Sequence, residues 1–350
     1  MKAHYFKHLL KFKVPSGTSR GVLKEKVSWF ILIVDGDNYG IGECSLIKGL
    51  SPDPISKFET KLKEICCNIR FGLKKLSATL KDFPSILFGL ETAFLSFKNS
   101  NPFTIIESDF AFGKGHIPIN GLIWMGEKTF MKQQIKEKIK DGFNCIKIKV
   151  GALNFDLECE LLKSIRLEYS TRDLEIRVDA NGSFNVRSAL EKLKQLSKYG
   201  LHSIEQPIRP KLWEKMAFLC EKSPLSIALD EDLIGISEFK TQEKMLSEIK
   251  PKYIILKPSL IGGLKKSDSW INIANSLGIK WWSTSALESN IGLNAISQWV
   301  FNKNSLLKQG LGTGMLYSNN INSPYYIEKG CLKYDSKKNW ETVLFKSYIS

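Results

Sequence analysis

Apolar runs of strand length and apolar spacing of helical period divide the chain into stretches of different character. Near the start, the run at 27–34 is apolar and β-branched, ends at Asp35-Gly36-Asp37, and is followed by a second extended run at 39–43. This pattern predicts an antiparallel meander with a tight turn, followed by helices between about 55 and 96. Ahead of it, the polar, glycine-bearing segment at 15–21 predicts a mobile loop.

From about residue 117, short apolar strands alternate with amphipathic stretches such as 155–169 and 186–196. Such alternation predicts parallel strands joined by crossover helices. Eight candidate strands favour a closed barrel, and the glycine fingerprint of a doubly wound dinucleotide fold does not follow an early strand. The candidate strands are 117–124, 145–150, 174–179, 203–205, 226–230, 253–257, 280–285 and 309–314.

The fold class that these patterns predict is α/β, with three parts along the chain. We expect an α+β domain at 1–110, a TIM-like barrel at 111–318, and a tail at 319–350 that packs back on the first domain. A length of 350 residues suits a barrel of about 200–250 residues together with a second, smaller unit.

Charge and composition narrow the class of partner. The formal net charge is +15, but the lysines are interleaved with acidic residues and form no basic block with aromatics, so we expect no nucleic-acid partner. A small anionic substrate fits the positive charge better. No apolar stretch is long enough to span a bilayer and the start shows no signal peptide, so we expect no membrane partner and a cytoplasmic location. The oligomeric state does not follow from the sequence.

Five ionisable residues recur at the predicted strand ends, 25 to 30 residues apart. In a barrel of this type all such strand ends open on one face, so these side chains should converge there. A single charge at a strand end is usually solvated or paired, but three acids between two lysines at this period are hard to obtain by chance. The five are Lys149, Asp179, Glu205, Asp230 and Lys257.

The residue types indicate a chemistry. Three carboxylates facing one another need a cation, and oxygen ligands without His or Cys favour Mg²⁺, or Mn²⁺, over zinc. Lys147 and Lys149 lie two apart on one strand and point to the same face, while Lys257 arrives from nearly the opposite side. Removing a proton next to a carboxylate creates a dianionic enediolate, which a dication and ammonium groups would stabilise. We therefore predict metal-assisted proton abstraction.

These residues, with their neighbours, resemble the enolase superfamily, and within it the muconate-lactonizing subgroup. The resemblance covers nearly the whole chain and implies a (β/α)₇β barrel with an α+β capping domain formed by both chain ends. It also implies supporting roles for Lys147, Asn181 and Glu231. The motifs that carry it are Lys147-Ile-Lys149, Asp179-Ala-Asn181, Glu205-Gln-Pro207, Asp230-Glu231 and Lys257-Pro-Ser-Leu-Ile-Gly-Gly263.

Within the subgroup, the flanking residues are most similar to the o-succinylbenzoate synthases of menaquinone biosynthesis. The matching features are Gly40-Ile-Gly42-Glu43, Gly49-Leu-Ser-Pro52, Arg177, the segment from Ser283 through Ser285 and Glu288 to Gly292, and Leu311-Gly-Thr-Gly314. The resemblance implies syn-dehydration of SHCHC, a succinyl-bearing cyclohexadiene carboxylate, to o-succinylbenzoate. Lys149 would be the acid/base and Lys257 a stabilising cation. Arg20, Gly312, Thr313 and Gly314 would contact the succinyl arm.

Three alternatives stay open from the sequence. Dipeptide epimerisation would use both lysines from opposite faces, but the Asp-x-Asp pattern usual for epimerases is missing at 311–314. N-succinylamino acid racemisation could coexist with dehydration. A barrel that binds an anionic metabolite without catalysis is a distant third, because such a relative would be free to lose one of the five ionisable groups, and none is lost.

Overall fold

The computed structural model describes residues 1–18, 21–151 and 154–349, and the chain begins with an antiparallel meander. Strands β1 (Lys2–Thr18) and β2 (Gly21–Asp35) form a long hairpin, and β3 (Asn38–Ser45) pairs with β2. Gly36 adopts φ +59° in the turn between β2 and β3, a conformation that favours glycine. The loop predicted at 15–21 is wrong for the described part, because 16–18 pair with 21–23 and extend the hairpin. Arg20 lies outside the described residues.

Three helices pack against this meander: α1 (Ile55–Cys67), α2 (Gly72–Ser77) and α3 (Pro84–Phe97). Their apolar faces meet the sheet in one buried cluster that includes Ile31 and Leu62. Strand β3 approaches α3 so closely that a Cβ at Gly42 would lie 1.9 Å from the carbonyl oxygen of Gly89. The glycines therefore allow backbone contact between strand and helix, which places the end of β3 beside the barrel.

The central part is a parallel sheet whose seven strands pair in chain order. The strands are β5 (Gly121–Ile123), β6 (Cys145–Lys149), β7 (Glu175–Asp179), β8 (Ser203–Glu205), β9 (Ile227–Leu229), β10 (Tyr253–Leu256) and β11 (Lys280–Ser283). The helices between and after them are α4 (Lys128–Lys140), α5 (Phe155–Glu168), α6 (Val186–Ser197), α7 (Trp213–Lys222), α8 (Phe239–Ile249), α9 (Pro258–Ile261), α10 (Leu264–Ser276) and α11 (Asn290–Phe301). Short 3₁₀ turns occur at Ile69–Phe71, Glu231–Leu233, Thr313–Met315 and Val343–Phe345.

Two isolated parallel bridges close the sheet into a ring. Gln309 pairs with Ile119 ahead of β5, and Gly310 pairs with Thr284 after β11. The eighth strand predicted at 309–314 is therefore too long, because pairing ends at Gly310 and a 3₁₀ turn follows. The strand predicted at 117–124 is also wrong as a single element, because β4 (His116–Pro118) belongs to a different, antiparallel sheet.

The C-terminal part returns to both other parts of the chain. Strands β12 (Tyr325–Glu328) and β13 (Cys331–Tyr334) form a hairpin that pairs with β4, and α12 (Lys346–Ile349) follows. Phe345 packs in a buried cluster with Phe30 of the N-terminal meander. Across the described ranges, none of the helices is both apolar and long enough to cross a membrane. The predicted α/β barrel with an α+β domain is confirmed.

Candidate active site

The five predicted ionisable residues lie together at the carboxyl ends of the barrel strands. Lys149 ends β6 and pairs in register with Asp179, which ends β7, and Asp179 pairs with Glu205, which ends β8. Asp230 and Lys257 directly follow β9 and β10. Because β6 and β10 are four strands apart in an eight-membered ring, Lys149 and Lys257 face each other across the carboxylates.

Lys147 lies between two of the carboxylates. Its Nζ is 2.9 Å from Asp179 Oδ2 and 2.8 Å from Glu205 Oε2. Burial opposes the charged form of Lys147, but Asp179 and Glu205 outweigh it and raise the pKa of this ammonium. Burial also opposes the charged form of Asp179 and would raise its pKa. The charges of Lys147, Lys149 and Lys257 outweigh burial and hold that pKa well below its usual range. Lys147 and Asp179 are therefore a charged pair.

Lys149 has two partners on the neighbouring strand end. Its Nζ lies 3.3 Å from Asp179 Oδ2 and donates to Asn181 Oδ1 at 2.5 Å. Asn181 in turn donates from Nδ2 to Glu231 Oε1 at 3.1 Å, and its backbone N–H donates to Asp179 Oδ1 at 3.0 Å. Asn181 thus fixes the direction of the Lys149 ammonium, and Glu231 fixes the orientation of the Asn181 amide.

Lys257 donates a hydrogen bond to Asp230 Oδ2 on the adjacent strand end. Burial alone would lower the pKa of Lys257, but the negative charges of Asp230 and Glu205 outweigh burial. The net shift of the pKa is upward, and the group is an ammonium. The side chain is 12% exposed and lines the pocket, whereas Asp230 is 1% exposed. Lys257 therefore presents a fixed positive charge to the pocket opposite Lys149.

The donor set suits a hard divalent cation, although the carboxylates here contact lysines. Within the described ranges, no cluster of three or more His, Cys, Asp or Glu side chains is arranged to hold a metal ion. Glu205 Oε1, however, is buried without a hydrogen-bond partner, and burial together with Asp179 raises the pKa of Glu205 well above its usual range. A cation would satisfy this oxygen and offset the repulsion. Carboxylate oxygens are the ligands that such ions prefer.

A cavity of about 420 Å³ opens above these groups. Lys147, Lys149, Asp179, Asn181 and Lys257 line its polar side, and the segment 47–50 of the N-terminal domain contributes Ile47, Lys48 and Leu50. Apolar side chains form most of the wall, among them Trp124, Trp282, Leu287, Met315 and Leu316, with polar side chains such as Gln134, Glu137 and Lys138 at one side. A polar floor under an apolar wall suits a small carboxylate that carries an apolar ring.

Two of the predicted supporting residues form the cavity wall, and a third lies behind it. Ser285 and Thr313 line the cavity and are linked by a hydrogen bond of 2.8 Å from Thr313 Oγ1 to Ser285 Oγ. Glu288 is fully buried behind them, accepting from Ser285 Oγ at 2.6 Å and from Ser259 Oγ at 2.5 Å. Glu288 therefore ties the loop after β10 to the loop after β11, and it does not line the cavity.

Of the remaining residues predicted to contact or support the substrate, one lines the cavity and two do not. Gly312 lines the cavity, whereas a Cβ at Gly314 would meet Asn290 Oδ1 at 2.5 Å, so Gly314 packs against α11. Arg177 lies deeper in the barrel, with its guanidinium 4.3 Å from the ring centroid of Trp282 and bonded to Glu175. Arg177 thus supports the cavity wall through Trp282 and does not itself line the cavity.

Sequence reasoning missed Trp282, Lys48 and the wall formed by Leu287 and Leu316. Trp282 lies inside a predicted strand, at the same side of the alternation as Thr284, so its inward direction could have been read from the pattern. Lys48 follows the Gly40–Glu43 motif, but no local signal places it over the barrel. That position depends on how the two domains meet.

Comparison with known proteins agrees with the resemblance that the sequence motifs carry. A family model described as enolase C-terminal domain-like matches residues 131–337. The o-succinylbenzoate synthase of Desulfotalea psychrophila is 44% identical over 95% of this chain and 98% of that protein. The crystal structure of MenC from the same organism superposes with a TM-score of 0.85 at 41% identity, covering 95% of this chain and 99% of that one.

A more distant structure shows the same fold. The dipeptide epimerase from Enterococcus faecalis, complexed with Mg and the dipeptide L-Leu-L-Tyr, superposes with a TM-score of 0.82. Its sequence is 17% identical, and the match covers 95% of this chain and 96% of that one. At this identity the likeness concerns the fold alone.

Proposed function

The chain belongs to the enolase superfamily, and from this membership we propose that it is an o-succinylbenzoate synthase, a lyase that dehydrates SHCHC to o-succinylbenzoate in menaquinone biosynthesis. The 44% identity over nearly the full length of both chains supports the choice of substrate. The observation that carries the chemistry is the opposition of Lys149 and Lys257 across Asp179, Glu205 and Asp230 below one cavity. We infer that the enzyme works in the cytoplasm.

Asp179, Glu205 and Asp230 would hold a divalent ion, Mg²⁺ or alternatively Mn²⁺. The buried, unpartnered Oε1 of Glu205 and the oxygen-only donor set support this assignment. When bound, the ion supplies positive charge against the negative charge that develops on the substrate carboxylate. The crystallised relative from Enterococcus faecalis contains Mg, which agrees with this choice.

Lys149 is assigned as the acid and base. As the free amine it takes the α-proton of SHCHC, leaving an enediolate on the substrate, and becomes an ammonium. The same ammonium then gives a proton to the departing hydroxyl group, so that water leaves from the same face and the amine is restored. Asn181 and Asp179, at 2.5 and 3.3 Å from Lys149 Nζ, hold the group in place for both transfers.

Lys257 and Lys147 are assigned electrostatic roles. Asp230 keeps Lys257 charged, so it stands over the opposite side of the substrate as a stabilising cation and not as a second base. Lys147 lies two residues before Lys149 on β6. It contacts both Asp179 and Glu205 and offsets their negative charge. The ammonium groups of Lys147 and Lys257 also favour binding of a carboxylate substrate.

The apolar wall and the segment at 312–313 are assigned to the rest of the substrate. Trp282 and Leu287 suit the ring, and Gly312 with Thr313 stands where a succinyl arm could receive hydrogen bonds. Arg20 remains a predicted contact that lies outside the described residues.

The test is direct. Purified protein with Mg²⁺ should convert SHCHC to o-succinylbenzoate, followed by product absorbance and mass, and EDTA should stop the conversion until Mg²⁺ is restored. Absence of product with active-site metal bound would refute the substrate assignment. A second candidate, epimerisation of Ala-Glu-type dipeptides, is favoured by the placement of two lysines on opposite sides of the cavity. Deuterium incorporation from D₂O into such dipeptides, without dehydration of SHCHC, would establish it instead.

A further inference from the structure

Glu43 is a buried carboxylate at a contact between the N-terminal domain and the barrel. This residue lies in β3, is fully buried, and accepts four hydrogen bonds. Three of them come from the start of α11: the backbone N–H of Ser289 at 2.9 Å, its Oγ at 2.6 Å, and the backbone N–H of Gly292 at 2.9 Å. One carboxylate of the first domain thus satisfies the N-terminus of a barrel helix.

The fourth donor brings a buried lysine into the same contact. Ser28 Oγ donates to Glu43 Oε1 at 2.6 Å, and Lys26 Nζ donates to Ser28 Oγ at 2.9 Å. Lys26 is 6% exposed, and burial lowers its pKa despite the attraction of Glu43 and Glu288. The junction is therefore a buried hydrogen-bonded network that joins β2, β3 and the start of α11.

The segments that adjoin Glu43 and Ser289 in the chain both contribute residues to the cavity. Two residues after Glu43, Ser45 Oγ donates to the carbonyl oxygen of Ala286 at 3.3 Å, and the next residues, 47–50, supply Ile47, Lys48 and Leu50 to the cavity. On the barrel side, Ser289 directly follows Glu288, and the segment 284–287 forms the facing wall. A Cβ at Gly292 would meet side-chain atoms of Glu288 and Glu43 at 2.6–3.0 Å, so a larger residue there would force these two side chains to shift.

We propose that Glu43 is a positioning residue that sets the spacing between the 47–50 segment and the 284–287 wall, and so controls the affinity for the part of the substrate remote from the reacting carbon. The proposal rests on the proposed function for the identity of the substrate. Glu43 does not touch Lys149, Asp179 or Asn181 through any hydrogen bond that the described residues show. Its loss should therefore weaken substrate binding more than it slows the proton transfers.

A matched control exists in the same domain. Glu91 of α3 accepts from the backbone N–H groups of Leu264 and Lys265, at 2.7 and 3.1 Å, at the start of α10. It is thus also a carboxylate of the first domain that caps a barrel helix. Neither Glu91 nor these two residues line the cavity.

The experiment compares Glu43→Gln with Glu91→Gln in the full-length protein with Mg²⁺. Glutamine keeps the size of the side chain, but it replaces one accepting oxygen with an amide NH₂ group, which donates hydrogen bonds and does not accept them. For Glu43→Gln we expect KM for SHCHC to rise about tenfold and kcat to change less than about threefold. For Glu91→Gln both should stay within about twofold. Equal kinetic effects in the two variants, or a fall in kcat at constant KM, would overturn the proposal.

A second readout needs no turnover. Hydrogen exchange of the amides at 46–50 and 284–289 should accelerate together in Glu43→Gln and stay at the wild-type rate in Glu91→Gln. If wild-type protein does not convert SHCHC, the proposed function fails, while this exchange comparison still decides the role of Glu43. Ser289→Ala removes one of the four donors to Glu43, together with the side-chain cap on the Ile291 N–H, and should show the same pattern at smaller size if Glu43→Gln does not fold. Independent exchange of the two segments would contradict the proposal.

Discussion

Lys149 and Asn181 are joined by a hydrogen bond of 2.5 Å between Nζ and Oδ1, across the ends of β6 and β7. Asn181 holds this position in the left-handed region, at φ 44°, which asparagine tolerates better than most residues. The backbone is therefore shaped to bring a neutral oxygen acceptor to the proposed base. A charged acceptor at the same place would change the balance between amine and ammonium.

Asn181→Asp tests this relationship. The new carboxylate would form an ion pair with Lys149 and oppose its action as a base. We expect kcat for SHCHC to fall about tenfold or more while KM changes little. Asn185→Asp is a suitable control, because Asn185 caps α6 away from the cavity and aspartate caps equally well. A kcat within about twofold of the wild-type value in Asn181→Asp would contradict the role assigned to Asn181.

The metal assignment predicts a binding defect in Glu205→Gln. Loss of one carboxylate removes both a ligand oxygen and charge, so the affinity for Mg²⁺ measured by calorimetry should fall more than about tenfold. Glu137→Gln changes a cavity-lining carboxylate of α4 that lies outside the cluster, and it should bind Mg²⁺ as the wild type does. Equal Mg²⁺ affinity in all three proteins would place the ion elsewhere.

The raised pKa of the buried Asp53 carboxyl makes the free energy of unfolding depend on pH. Burial raises the pKa of this carboxyl from 3.8 to about 6, although hydrogen bonds from Ser85 at 2.7 and 3.1 Å oppose the shift. Because the folded state binds the proton more tightly than the unfolded state, the contribution of Asp53 to stability is full below about pH 4 and is lost as the pH rises through 6. The loss is on the order of 2–3 kcal/mol at most.

Asp53→Asn should remove this dependence. Urea unfolding at pH 4 to 8 should show the variant gaining stability relative to the wild type as the pH rises, with the change centred between 4 and 6. Asp37→Asn, at an exposed position in the turn between β2 and β3, should leave the wild-type dependence unchanged. A constant difference between Asp53→Asn and wild type over the whole range would show that Asp53 does not titrate in this way.

The contact between β3 and α3 predicts a steric defect. A methyl group at Gly42 would lie 1.9 Å from the Gly89 oxygen and 2.6 Å from Thr92 Oγ1, so the strand and the helix would have to separate. Gly42→Ala should lower stability by about 3 kcal/mol or more in thermal unfolding. Gly36→Ala has no atom within 4 Å and should cost only about 1 kcal/mol for its positive φ. Similar costs for the two substitutions would refute the close packing.

The barrel and its charged residues were predictable because each depends on local information. Strand ends at Lys149, Asp179 and Glu205 follow from short apolar runs, and the barrel geometry then brings them to one face. The eighth strand was predicted too long because the sequence after Gly310 carries no signal that marks where backbone pairing ends. Pairing depends on the neighbouring strand, which a single segment does not reveal.

The supporting contacts could not be predicted, because they join segments far apart in the chain. Glu43 meets Ser289 across 246 positions, and Arg177 stacks on Trp282 from another strand. Arg177 was expected to support the site or to contact the substrate, and only its stacking on Trp282 shows that it lies behind the cavity wall. Such contacts arise from tertiary packing, which neither periodicity nor motif spacing encodes.

The central claim is that Lys149 abstracts the α-proton. The most direct test is the rate at which Lys149→Ala converts SHCHC to o-succinylbenzoate, with circular dichroism and Mg²⁺ binding measured on the same sample. We predict a loss of about a thousandfold or more with fold and Mg²⁺ affinity retained. A variant that keeps its fold, binds Mg²⁺ and turns over within about tenfold of the wild-type rate would contradict the role of Lys149.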